Sequence, residues 1–400
     1  MHLASRLDHI EPFYVLECAK AAQEIARGPL CDAAQGGRPM IYLNIGEPDF
    51  TAAPAIVAAA ERCMQQGRTQ YTPALGLPAL REAIARWYGT RHDIEIDAAR
   101  IVVTAGASAA LQLATLALVD EGDELLLPDP SYPCNRHFVA AAGGRPVLLP
   151  ASAAHRFQLD ADAVARAWGP HTRGVLLASP SNPTGTSIER GEMQRIVQAV
   201  RERGGVTLVD EIYLGLSYDE AFGHSALEHA AVPGADIVVI NSFSKYFGMT
   251  GWRLGWLVVP PALVAPIEKL AQNLFICAPS VAQHAALACF EPESLAEYER
   301  RREAFRQRRD FIVPALEGLG FKVPVAPDGA FYVYADVSAH AQSSWDFCFD
   351  MMRRAQVALT PGRDFGPSTA ERFIRLSFAS SMAELEEAVR RLALVLVTKR

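Results

Sequence analysis

The chain is predicted to be an α/β protein built on a mostly parallel, seven-stranded sheet sandwiched by helices, with a smaller α+β domain beside it. Two patterns predict this. Seven apolar runs, at 101–103, 124–127, 146–149, 174–178, 206–209, 237–240 and 254–259, alternate with helix-compatible stretches such as 107–119 and 189–203. Continuously apolar strands are buried on both faces, as in a parallel sheet covered by helices. After about residue 290 the rhythm changes to a long charged helix, short strands around 321–335 and 372–378, and a final helix from Met382 onwards. With 400 residues, half of them hydrophobic, the chain is long enough for two or more domains.

Taken in order, Pro12 to Arg27 reads as an amphipathic helix, with a proline near its start and Gly28 past its end. Gly28 to Pro39 holds three glycines and two prolines and reads as a loop. Alanine-rich patches such as Ala58 to Ala60 are helix formers in context. Ile101 to Val103 is followed by Gly106, Ala107 and Ser108 and then by the helical pattern Ala109 to Val119. That arrangement points backbone N–H groups at an anion near a helix N-terminus.

The segment Asn241 to Arg253 carries the most chemical information. Ile237 to Ile240 reads as a buried parallel strand, so Lys245 falls just past a strand's C-terminal end, where open α/β sheets place their ligands. The amine of Lys245 can form a Schiff base with a carbonyl cofactor. Ser242, Ser244 and nearby N–H groups can hold a phosphate, and Arg253 can close on it as a bidentate fork. These are the parts of a pyridoxal-phosphate cradle, although a lone lysine after a strand is usually only solvated. Asp210 follows the apolar run Val206 to Val209, and a carboxylate beside a pyridine nitrogen keeps that ring protonated and electron-withdrawing. A charge pair at about 4 Å and an effective dielectric of roughly 20 is worth about 4 kcal/mol, enough to hold the proton. A magnesium-holding Asp-Glu at this strand end would need a phosphate loop, and no Gly-Lys dipeptide occurs in the chain. Tyr213 lies three residues beyond Asp210 and can reach the cofactor's ring hydroxyl; otherwise it is an ordinary half-buried tyrosine.

Further segments complete a resemblance. Asn44-Ile45-Gly46-Glu47-Pro48-Asp49-Phe50, Tyr71-Thr72-Pro73 with Gly76 and Leu77, and Thr104-Ala105-Gly106-Ala107-Ser108 come first. Asp129-Pro130-Ser131-Tyr132-Pro133 and Ser181-Asn182-Pro183-Thr184-Gly185 follow. After the Asp210 and Lys245 segments come Pro361-Gly362 with Phe365-Gly366, and then Arg375-Leu376-Ser377-Phe378. In order and spacing, over nearly the whole length, the chain resembles a class I/II aminotransferase of fold type I, in the aspartate aminotransferase superfamily. The resemblance implies that 254–259 runs antiparallel. It also implies a large domain at 51–290 and a discontinuous small domain formed by 1–50 and 291–400.

The same resemblance implies the site. Lys245 would hold pyridoxal 5'-phosphate and later move the substrate proton. Asp210 would face the ring nitrogen, Tyr132 would stack on the ring, and Asn182 and Tyr213 would share the ring oxygen. Gly106, Ala107, Ser108, Ser242, Ser244 and Arg253 would hold the phosphate. Arg375, helped by Asn182 and the backbone of Gly46, would clamp the substrate α-carboxylate. For Arg375 the alternative is a surface salt bridge, which the apolar context Phe373-Ile374-Arg375-Leu376 disfavours. Tyr71 would reach the phosphate of a neighbouring subunit in a homodimer, although a tyrosine before Thr-Pro could equally pack on its own chain. Some family members that prefer dicarboxylates carry a lysine where Ser108 stands, so a strict dicarboxylate substrate is disfavoured, although an arginine from elsewhere, or from a partner chain, could replace it. Alanine, branched, aromatic and sulfur-containing amino acids remain open.

Composition excludes several alternatives. A net charge of −7 and a pI near 5.8 give no nucleic-acid footprint. The dense run Arg300 to Arg309, with Glu299, Glu303, Phe305 and Phe311 at helical spacings, reads as a solvated helix face. Seven cysteines without a Cys-x-x-Cys pair favour a reducing compartment and no zinc, and ten histidines form no His-Glu-x-x-His pattern. Met1 to Glu11 lacks a signal-like apolar core, and no run approaches the 18 apolar residues of a membrane span. A cytoplasmic enzyme is expected. The leading function is amino-group exchange between an L-amino acid and a 2-oxo acid, the cofactor storing the amine between half-reactions. The alternatives are a β-eliminating lyase or related reaction on the same fold, and a non-catalytic regulatory module. The donor and acceptor pair is not legible.

Overall fold

The structure is a computed structural model that describes residues 2–397. Helix α1 (Tyr14–Ala26) leads through single 3-10 turns to β1 (Ile41–Tyr42), α2 (Pro54–Gln65) and α3 (Pro78–His92). Strands and helices then alternate: β2 (Ile101–Thr104), α4 (Gly106–Leu118), β3 (Glu124–Asp129), α5 (Pro133–Ala141), β4 (Arg145–Pro150), α6 (Ala161–Ala167), β5 (Thr172–Ala178), α7 (Arg190–Arg201) and β6 (Val206–Asp210). After β7 (Asp236–Ser242) and β8 (Gly255–Val258) come α8 (Pro261–Leu274), α9 (Ser280–Ala286) and the long α10 (Pro292–Gly318). The chain closes with β9 (Tyr332–Asp336), α11 (Ser344–Arg354), β10 (Val357–Ala358), β11 (Thr360–Pro361), β12 (Phe373–Ser377) and α12 (Met382–Val397).

All seven apolar runs become strands of one sheet, in the order β2-β8-β7-β6-β5-β3-β4. β8 runs antiparallel to both neighbours and the remaining pairings are parallel. Alternate residues serve opposite faces: Ile237 and Val239 of β7 join one core, Val238 and Ile240 the other. A strand that must fill two cores has no solvent face, and so its sequence is apolar throughout. Each fully buried aliphatic side chain contributes about 1.5–3 kcal/mol. The other sheets are the three-stranded antiparallel β11-β12-β9 and the parallel pair β1-β10.

Some boundaries differ from expectation. α1 begins at Tyr14 and buries Val15, Cys18 and Ala22. α4 begins at Gly106 itself, so the residues expected to precede the helix form its first turn. Strand structure around 321–335 starts only at Tyr332, apart from an isolated bridge between Lys322 and Asp336. Nor is the basic run of α10 wholly solvated. Arg308 is buried, donating to both carboxylate oxygens of Asp49 at 2.8 Å and to the carbonyl oxygen of Ala379. Helical spacing identified the face, but only packing brings Asp49 against it.

Candidate active site

Strand register lines up the carboxyl ends of the central sheet. Ala178, Asp210 and Ile240 sit side by side, and Ser242 and Thr104 both oppose Gly255. Loops leaving this edge bound a cavity of about 520 Å³. Of the residues expected at the site, Gly46, Ala107, Ser108, Tyr132, Asn182, Asp210, Tyr213, Ser242, Ser244, Lys245, Arg253 and Arg375 line it. Gly106 stands just behind this lining, with φ +81°. Tyr71 is not brought to the cavity of its own chain and is 80% exposed.

One end of the cavity is formed by the first turn of α4 and the Ser242–Arg253 segment. Ser242 Oγ lies 2.9 Å from Ser244 Oγ and accepts the Ser244 N–H at 3.0 Å. Arg253 is held in the left-handed region at φ 53°, a strained conformation for a non-glycine residue that surrounding contacts must enforce. One such contact is its Nη1 donating to the Thr250 carbonyl oxygen at 2.9 Å. A Cβ at Gly106 would run into the Arg253 guanidinium. Glycine is favoured there by the left-handed φ of +81°, and a side chain would have to push the end of Arg253 aside.

Asp210 is buried at the end of β6 and accepts the Ile212 N–H at 3.1 Å. Burial raises its carboxyl from 3.8 to about 7, against the lowering effects of that hydrogen bond and of Lys245. Lys245 is half-buried, with Nζ donating to the Gly46 carbonyl oxygen at 2.6 Å. Burial lowers its amine to about 8, with Glu47 acting in the opposite direction. Tyr213 is buried, its hydroxyl 2.7 Å from that of Tyr332, and burial holds it well above the usual phenol range.

Arg375, on β12, is buried rather than on the surface. Nη1 donates to Asn182 Oδ1 at 2.9 Å and Nη2 to the Asn44 carbonyl oxygen at 2.7 Å. The guanidinium carbon lies 4.5 Å from the Tyr332 ring centroid and 5.1 Å from that of Phe365. Its Nε is buried without a hydrogen-bond partner. A buried cation with donor capacity to spare, at a cavity wall, suits an anionic ligand group.

These residues fit pyridoxal phosphate. A dianionic phosphate matches the α4 N-terminus, the serine pair and Arg253. A protonated ring nitrogen matches Asp210, whose buried carboxylate needs a cation to stay charged. An aldehyde matches an amine of lowered basicity. Sequence reasoning missed Tyr332, Glu47, Phe13 and Leu16 on the cavity wall, and Asp364 behind it. Tyr332 stood in a run of apolar and aromatic residues that reads as core. Glu47 was visible inside a motif but without an assigned role. Among the described residues no group of three or more His, Cys, Asp or Glu is placed to hold a metal ion, and no helix is long and apolar enough to cross a membrane.

A fold with this sheet order and a lysine, an aspartate and an arginine converging on one cavity defines a pyridoxal-phosphate enzyme of fold type I. The sequence model of the family described as aminotransferase class I and II matches residues 38–392, and the chain belongs to that family. It is 38% identical over 383 residues to a valine–pyruvate aminotransferase of Mycobacterium tuberculosis, covering 96% of each chain. It is 33% identical over 398 residues to an aspartate aminotransferase of Geobacillus stearothermophilus, covering 98% of each. A crystal structure of an aminotransferase from Mycobacterium tuberculosis superposes with a TM-score of 0.93 at 37% identity over the full length of both. The protein is thus a pyridoxal-phosphate-dependent transaminase, exchanging an amino group between an amino acid and a 2-oxo acid.

Proposed function

We propose that Lys245 is the residue that carries the cofactor and moves the substrate proton, with Asp210 and Arg375 fixing the two ends of the reacting pair. The observation that carries this reading is the convergence of all three side chains on one cavity at the carboxyl edge of the sheet. Pyridoxal phosphate, when bound, supplies an aldehyde for the amino group and a protonated ring that withdraws electrons from the substrate's α-carbon. Arg375 binds the α-carboxylate as a planar fork and so orients the α-carbon. Lys245 Nζ, with its basicity lowered by burial to about 8, has a neutral form within reach near pH 7 and can take the α-proton. Asp210 would stay charged against the cofactor's cation, and Asn182 and Tyr213 would donate to the ring oxygen. Tyr132 would cover one ring face. Gly106, Ala107, Ser108, Ser242, Ser244 and Arg253 would hold the phosphate, and the backbone of Gly46 would help Arg375 and Asn182 with the carboxylate.

Borohydride reduction followed by peptide mass spectrometry tests the assignment. Wild-type protein is expected to carry the reduced cofactor on the peptide containing Lys245, and Lys245→Ala none. Cofactor trapped on another lysine would overturn the assignment.

We further propose that the working form is a cytoplasmic homodimer whose sites are completed by Tyr71 from the other subunit. The division into a large domain at 51–290 and a small domain formed by 1–50 and 291–400 belongs to this reading. Three features support it. Tyr71 is exposed, the adjoining loop is braced by Gln283, which donates to Thr72 Oγ1 and accepts from Leu77 N–H at 2.8 Å each, and all seven cysteines are free. Mixed dimers of Tyr71→Phe and Lys245→Ala chains should recover roughly half of the wild-type activity, because one site regains both groups. Activity no higher than that of Tyr71→Phe alone would defeat the cross-subunit role. The relatives' names include both a valine–pyruvate and an aspartate enzyme, so they do not choose the substrate.

A further inference from the structure

One hydroxyl on the cavity wall has no task in the proposed function. Tyr332 lies on β9 opposite Ser377 of β12, and its Oη is 2.7 Å from that of Tyr213. Three further contacts fix it. Its ring carries the Arg375 guanidinium carbon 4.5 Å from the centroid, and the neighbouring Phe331 ring packs with centroids 4.8 Å apart. A Cβ on Gly46 would stand 2.5 Å from the Tyr332 Oη, so the bare backbone of Gly46 leaves room for that hydroxyl. Tyr213 and Tyr332 are only 3% and 1% exposed within a single chain. A second subunit that completes the site therefore has almost no surface of this pair to touch.

The direction of the bond between them follows from counting hydrogens. Each phenol has one hydrogen to donate and can accept two. At 2.7 Å one of the two hydrogens lies between the oxygens. In the proposed function Tyr213 turns its own hydrogen to the cofactor's ring oxygen, so the hydrogen between the phenols has to come from Tyr332. A phenol that accepts one hydrogen bond is polarised into a stronger donor for the next. Burial holds both phenols above their ordinary range, so neither gives up its hydrogen near neutral pH. Arg375 on β12 and Tyr132 at the head of α5 face the pair, with Asp210, Lys245, Glu47 and Arg253 elsewhere on the lining. Exchanging one hydroxyl leaves all of these charges in place.

We infer that Tyr332 is a positioning residue for the transamination: by donating to Tyr213 it turns the Tyr213 hydrogen toward the cofactor's ring oxygen, while its ring separately supports Arg375. The inference deepens the proposed function and rests on the roles given there to Lys245 and Tyr213.

The test titrates the visible absorbance of the holoenzyme with pH, because hydrogen bonds to the charged form of a group lower the pH at which it loses its proton. Tyr213→Phe should move the midpoint upward. Tyr332→Phe should move it the same way by about 0.5 unit, the proton-affinity equivalent of one weak hydrogen bond. In a Tyr213→Phe background the Tyr332→Phe change should add nothing, since the hydroxyl acts only through its neighbour. Tyr332→Phe keeps the ring beside Arg375, so with amino acids kcat should fall about threefold while KM stays within about twofold. Tyr332→Leu also removes the ring and should raise KM several-fold; if it does not fold, the phenylalanine variants carry the test. A shift in Tyr213→Phe with none in Tyr332→Phe, or an equal Tyr332→Phe shift in both backgrounds, overturns the inference and leaves the proposed function standing. A midpoint that Tyr213→Phe does not move overturns the role of Tyr213 itself, and this inference with it.

Discussion

The two sides of the cavity are built in different ways. The cradle side comes from Gly106–Ser108, Asp210, Ser242–Lys245 and Arg253, each within a few residues of the end of a central strand, and its spacing is set by the main-chain ladder of the sheet. The substrate side comes from the start of α1, the Asn44–Glu47 turn, Tyr332 on β9, Asp364 and Arg375. They are joined by a handful of side-chain hydrogen bonds between residues up to 350 apart in the chain. A ladder is robust because many bonds share the load, whereas a wall hung on single carboxylates and one guanidinium changes with one substitution. In the proposed function the chemistry therefore sits on the stiffer side, and substrate binding on the side that few bonds hold.

The largest test of this contrast falls on the cradle. Asp210→Asn should leave the cofactor bound but slow the half-reaction by about a thousandfold, since the lost charge pair is worth about 4 kcal/mol. Single-turnover absorbance measures it, and an unchanged rate would separate Asp210 from the ring nitrogen. The same residue governs a pH effect in cofactor-free protein. Burial raises Asp210 from 3.8 to about 7, so between those values the native state keeps a proton that the unfolded chain releases. Its contribution to stability therefore falls as pH rises through that window, and the penalty is complete above about 7. Asp210→Asn should gain on wild type by up to about 4 kcal/mol between pH 4 and 7.5. Urea melts at the two pH values measure this gain, and a constant difference would refute it.

On the substrate side, Arg375→Leu should raise KM for amino acids by about 10–150-fold, the equivalent of about 1.5–3 kcal/mol for a charged hydrogen-bonded contact. It should spare reaction with simple amines, and equal losses for both would mean that the arginine only supports the fold. The smallest effect is expected at the latch of the Asn44–Asp49 segment. Asp49→Asn weakens a bidentate pair to the buried Arg308 and should cost about 1 kcal/mol in a thermal melt, because Asp49 is partly exposed. A KM change for amino acids without a stability change would shift the latch from a structural to a binding role.

Legibility in the sequence follows the same division. All seven central strands could be read, because a strand buried on both faces is apolar throughout and needs no knowledge of its partners. Lys245, Asp210, Asn182 and Arg253 could be found because each follows a strand end or lies in a compact motif. Arg375 stood out as a charge in an apolar strand. Tyr332 could not be found, because its hydroxyl joins the cavity wall only when β9 brings it within 2.7 Å of Tyr213. Arg308 read as one of many solvated arginines of α10, and only the path of the N-terminal segment places Asp49 beside it. Asp364 lay between Gly362 and Phe365 without a visible partner, since the amides it accepts belong to α1 at the other end of the chain. The sequence by itself determined the α/β sheet, the lysine-centred cradle and the family, because local spacing and burial pattern carry that information. Tertiary structure alone decided which side chains form the substrate wall, because a contact between residues 350 apart depends on how the chain returns and leaves no periodicity along it.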